Sequence, residues 1–184
     1  MKPGISVASL CMLGLLGISS PLQAQHSGFA YAGGGMTLPT GDFKTFDLAT
    51  AGWTATGGIG VNLSTSVWIE AEGWYGSNKY NDGSGDKVDL LAGLATVGYE
   101  FSPEAKGSPY VLGGVGLMNR KEVFGTGTSA SVTKPALTGG VGYVYELSKG
   151  THLWVEGRYT HMMTTSGATI IPITAGLSFD FGKQ

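Results

Sequence analysis

The residues of this 184-residue chain with the most chemical potential are carboxylates on alternating positions: Glu70 and Glu72, then Glu100, Glu146 and Glu156, with Arg158 two residues after the last. Two carboxylates around an accessible bond are the apparatus of a paired-carboxylate hydrolase. One arginine among several acids is also what an enclosed charged network requires, because buried charges must be paired or hydrogen-bonded, and this structural role outweighs the catalytic one. His26, His152 and His161 lie far apart, and the single cysteine, Cys11, falls in an N-terminal apolar stretch, so no metal-ligand spacing is present. Asn81-Asp82-Gly83-Ser84-Gly85-Asp86 has the composition of a calcium loop without its spaced acids and closing glutamate. The glycine clusters neither open a helix nor continue to a phosphate-loop lysine. The expectation is a chain without catalytic residues, metal or cofactor.

Alternation, not helical periodicity, positions these side chains. Val67-Trp68-Ile69-Glu70-Ala71-Glu72-Gly73-Trp74-Tyr75 places Val, Ile, Ala, Gly and Tyr on one face and both glutamates between two tryptophans on the other, the period of a strand. Comparable segments fall at about 27–38, 51–63, 67–77, 87–101, 109–119, 134–147, 151–163 and 170–182. Short turns alternate with longer polar loops, as in an antiparallel meander, and closure of eight strands removes both exposed edges. Thirty-two glycines against 24 charged residues (11 basic plus 13 acidic) also argue against a helical enzyme. A formal charge of -2 leaves no basic footprint for nucleic acid. Residues 1–24 read as a secretory signal peptide, since the apolar stretch from Ile5 to Ile18 is too short to span a membrane comfortably. The mature domain, 25–184, has no cysteine and owes nothing to disulfides.

The charged face decides which way the barrel is turned. Glu70, Glu72, Glu100, Glu146, Glu156, Arg158 and Asp180 share their faces with small or polar residues such as Thr96, Gly98, Thr138 and Thr174. The opposite faces, for example Val97/Tyr99/Phe101 and Leu177/Phe179/Phe181, carry no charge. A soluble, lipocalin-like barrel would need an apolar lumen, which Glu70, Glu72 and Glu156 contradict; a transmembrane barrel has apolar residues toward lipid and polar ones inside. The fold class is therefore all-β, an eight-stranded antiparallel up-and-down transmembrane β-barrel. Trp68, Trp74 and Trp154 share the lumen face by parity. Phe101, Tyr110, Tyr145, Phe179 and Phe181 near the short turns, with Tyr75 and Tyr159 near the long loops, would form interfacial girdles. In the fifth strand Val111/Val115/Leu117 and Tyr110/Leu112 are both apolar, and its facing stays open.

Leu38-Pro39-Thr40-Gly41-Asp42-Phe43 after the first strand, the Gly-Gly-x-Gly clusters and the Glu-x-Arg-Tyr of Glu156 to Tyr159 make the mature chain resemble the small eight-stranded outer-membrane barrels of the OmpA/OmpX-like superfamily. The last strand, with Gly176, Phe179 and Phe181, resembles the signal by which such proteins engage the barrel-assembly machinery, although Gly182-Lys183-Gln184 follow it. The resemblance implies residence in the outer membrane in contact with its lipid and lipopolysaccharide, periplasmic termini, and a scaffold displaying four loops for adhesion or envelope and host interaction, with an unidentified loop ligand. Arg158-Tyr159-Thr160-His161 also resembles a stretch of the lipid A 3-O-deacylases, whose histidine works with a serine two positions on; that position here is Met163.

Overall fold

The computed structural model describes residues 27–41, 51–80, 85–125, 127–163 and 168–182; the signal segment 1–24 and most of the calcium-like run lie outside them. Eight strands form in chain order: β1 Gly28–Gly41, β2 Gly52–Asn62, β3 Val67–Lys79, β4 Lys87–Glu100, β5 Gly107–Val123, β6 Ser129–Ser148, β7 Thr151–Met162 and β8 Ala168–Phe181. Each is antiparallel to its neighbours, and β1 pairs with β8 from Gly28↔Phe181 to Gly41↔Ala168 to close the barrel. At the short-turn end β6 hands over to β7 through Gly150, whose φ of 74° needs a residue without a Cβ.

Parity sets two surfaces. Outside stand Ile69, Val97, Val115, Val141, Val155 and Leu177, all exposed, an exterior that lipid solvates and water does not. Inside stand Thr56, Glu72, Thr96, Thr138, Glu156, Arg158 and Thr174, all buried. β5 resolves in favour of Val111, Val115 and Leu117 outward, with Tyr110, Leu112 and Met118 buried in the lumen. Tyr110 is thus no girdle residue. Its ring lies against Gly142 on β6, where a Cβ could not be accommodated, and its hydroxyl reaches a lumen carboxylate.

β5 and β6 run longer than their alternation predicts, 17 and 20 residues. Most of the stretch expected as a loop between Arg120 and Thr133 is a paired ribbon reaching Val123↔Ser129. Its tip closes with Phe124 N–H donating to the Thr128 carbonyl at 3.0 Å and with Gly127 at φ 86°. On its other side β6 meets β7 only from Ala136 onward, plus one bond from Met163 N–H to the Pro135 carbonyl.

Candidate functional site

The lumen is built in layers, because β3, β5 and β7 ascend from the short turns while β4 and β8 descend toward them. Midway, Arg158 on β7 faces three carboxylates. Its Nε donates to Glu156, its Nη1 to Glu72, and its Nη2 lies 3.4 Å from Glu70. Neutral hydroxyls complete the cluster: Thr56 donates to Glu72 at 2.7 Å, Tyr31 to Glu72 at 3.2 Å, Thr96 to Glu70 at 2.8 Å and Tyr110 to Glu156 at 3.0 Å. All four charged side chains are buried, so each lone pair left bare would cost free energy that these hydroxyls offset. The carboxylates are engaged by Arg158 and by hydroxyls.

Glu100 and Glu146 do not join this cluster. They lie nearer the short turns, on the wall of a cavity of about 600 Å³ that also takes in His152 and Asp180. His152 Nε2 is 3.2 Å from Asp180 Oδ2. Three aromatic residues from β1 and β7 (Phe29, Tyr31, Trp154) and two from β3 and β5 (Trp68, Tyr110) line the same cavity, which ends inward at Arg158.

Toward the long loops the lumen turns apolar, a layer that sequence reasoning missed. Trp74, Val88, Leu90, Leu94, Met118, Met162 and Ile170 pack into one buried cluster. Thr138 and Thr160 hydroxyls pair at 3.0 Å beside it, and Thr37 donates to Asn78 at 2.7 Å. The signal was present in β4, whose residues 88 to 97 are apolar on both faces apart from Asp89 and Thr96. The polar latch and the apolar plug close the lumen along its inner and long-loop portions. Among the described residues no group of His, Cys, Asp and Glu is placed to hold a metal.

On the outer wall His161 Nδ1 is 2.9 Å from Thr169 Oγ1, while Met163 is exposed. The Trp53 and Tyr75 ring centres lie 5.2 Å apart, their planes tilted by 50°, on the same wall toward the long loops, and Phe179 and Phe181 of the terminal strand are exposed at the short-turn end.

Among solved structures, Neisserial surface protein A is similar at 15% identity and TM-score 0.64, covering 86% of this chain and 98% of that one. Ail, the attachment invasion locus protein of Yersinia pestis, solved with the heparin analogue sucrose octasulfate, is similar at 14% identity and TM-score 0.59, covering 86% and 100%. The N-terminal barrel domain of Pseudomonas aeruginosa OprF is similar at 17% identity and TM-score 0.54, covering 85% and 98%. At these identities the likeness is one of fold. No curated protein matches the chain in sequence. The sequence pattern of the outer membrane protein beta-barrel domain matches residues 8–181, and with the closed eight-stranded meander and its apolar exterior this places the chain in that family, as a protein of the outer membrane.

Proposed function

We propose that this protein is a non-conducting outer-membrane scaffold that presents its β5–β6 ribbon outside the cell for adhesion or envelope interaction. One observation carries the reading. Over Ser129–Lys134 the β6 edge pairs with β5 on one side and, among the described residues, with no strand on the other. A membrane strand needs only about 9–11 residues, so a 20-residue β6 has several to spare above the bilayer. An unpaired strand edge is a template for an extended segment of a partner, with backbone hydrogen bonds supplying affinity. The blocked lumen supports a display role over a transport role, and Gly176, Phe179 and Phe181 serve as the signal read by the barrel-assembly machinery.

The test is attachment of bacteria, lacking their own adhesins and displaying this protein, to epithelial cells. Replacing residues 121–131 with a short glycine turn should abolish attachment while leaving the heat-dependent gel mobility of a folded barrel. Equal attachment by the trimmed and full-length forms would refute the reading. A non-enzymatic role is supported by Met163 standing where the deacylases have their nucleophile. Lipid A from expressing cells should keep its mass; loss of one acyl chain would overturn this.

A further inference from the structure

We infer that the cavity at the short-turn end is a binding site for a quaternary ammonium group, the cationic head of choline, entering from the periplasm. The cavity is blind. Turn residues Ser64, Thr65 and Pro103 frame its mouth, and Arg158, already committed to three carboxylates, forms its floor. Of the charged groups on its wall, Glu70, Glu100, Glu146, Glu156 and Asp180 oppose Arg158 and Lys106, which leaves a charge of 2 − 5 = −3, or −2 with His152 protonated beside Asp180. The lining therefore favours a cation.

The aromatic geometry narrows the class. Tyr31 and Trp154 meet edge-on, with ring centres 5.8 Å apart and planes at 88°, and Trp68 and Tyr110 meet at 5.5 Å and 78°. One corner belongs to strands flanking β8 and the other to strands flanking β4, so the two corners stand on opposite walls of the eight-stranded ring. These rings lie back over glycines on neighbouring strands, Trp68 over Gly98, Tyr110 over Gly142 and Trp154 over Gly176, which keeps the centre of the lumen open instead of filling it. The Tyr31 and Tyr110 hydroxyls donate to carboxylates, which enriches their ring faces in electron density. Opposed electron-rich rings with a surplus of negative charge are the recognition chemistry of a weakly hydrated alkylammonium.

The four tryptophans make the test specific. Trp68 and Trp154 line the cavity, Trp74 sits in the apolar plug, and Trp53 is exposed on the outer wall. In the ¹⁵N-labelled full mature chain refolded in lipid nanodiscs, choline should move the Trp68 and Trp154 indole resonances saturably and leave those of Trp53 and Trp74 in place. Tetramethylammonium, which keeps the cation without the hydroxyl, should move the same two indoles, and 3,3-dimethylbutan-1-ol, the neutral isostere of choline, should move neither. E100Q and E146Q, at the rim and outside the Arg158 cluster, should each weaken choline binding by about twofold to fivefold, the weight of one solvent-screened charge. Equal shifts with the neutral isostere, movement of all four indoles, or no movement beyond a matched sodium chloride control would each overturn the assignment. None of these readouts depends on the extracellular ribbon.

Discussion

Replacing Arg158 with methionine tests the latch directly. The guanidinium makes contact with Glu70, Glu72 and Glu156, so removing it takes the cluster from 1 − 3 = −2 to −3, with water reaching the carboxylates from the cavity side alone. Each close pair corresponds to about 4 kcal/mol of attraction at an effective dielectric near 20. Most of that is offset by the cost of dehydrating the arginine itself, and removal of one partner from a buried ion pair costs a net ~3–5 kcal/mol. At a slope of roughly 2 kcal/mol per molar urea, the unfolding midpoint in lipid vesicles should fall by about 2 M, read by tryptophan fluorescence and by the heat-dependent gel shift. The triple variant R158M/E72Q/E156Q should recover most of the loss, because neutral amides still bond to Thr56 and Tyr110 and no longer repel one another. A single R158M variant within about 1 kcal/mol of wild type would refute the latch as a stabilising element, since three buried carboxylates stripped of their shared cation should cost well above that.

Two further outcomes test the facing of the wall and the plug. Val141, 64% exposed near the middle of β6, faces lipid, so V141R should cost about 2–4 kcal/mol in refolding equilibria in vesicles, while S178R on the open cavity wall should cost less; equal losses would reverse the assigned inside and outside. Leu90 and Leu91 are chain neighbours at 1% and 57% exposure, and L90A should lose about 2–5 kcal/mol by leaving a void in the plug while L91A loses much less, with equal midpoints in urea counting against a packed long-loop lumen.

Strand number, order and inside-out facing were legible because the bilayer imposes a two-residue contrast wherever the lumen is polar. Glu70/Glu72 against Ile69/Ala71 is such a contrast, and it phases β3 without ambiguity. The contrast fails where a strand carries apolar side chains on its lumen face as well. In β5, Tyr110 and Leu112 face the cavity and Val111 and Val115 face lipid, and hydrophobicity alone cannot separate them. It fails again above the membrane, where both faces of a ribbon meet water: Arg120–Thr133 has the polarity of a loop although it pairs through Val123↔Ser129. The candidate site was half legible. Parity brought Glu70, Glu72, Glu156 and Arg158 to one side, but only the register, with Glu70 opposite Thr96 and Glu146 opposite His152, separates the midway latch from the acids at the rim.

That register also explains why latch and plug occupy adjacent layers. Across β3 and β4, Glu70 pairs with Thr96, Glu72 with Leu94 and Trp74 with Ala92, so the boundary between charged and apolar lumen falls at Glu72. A wet neighbour would screen the attraction between Arg158 and its carboxylates, whereas Leu94 and Trp74 exclude water from one side and keep the local dielectric low. The plug in turn ends against groups that are already paired, so no unsatisfied charge faces its apolar atoms. Neither layer is as stable beside water as beside the other. L90A and R158M should therefore combine to less than the sum of their separate losses, because opening the plug to water weakens the bonds that the second substitution removes. A strictly additive double variant would mean that the two layers close the lumen independently.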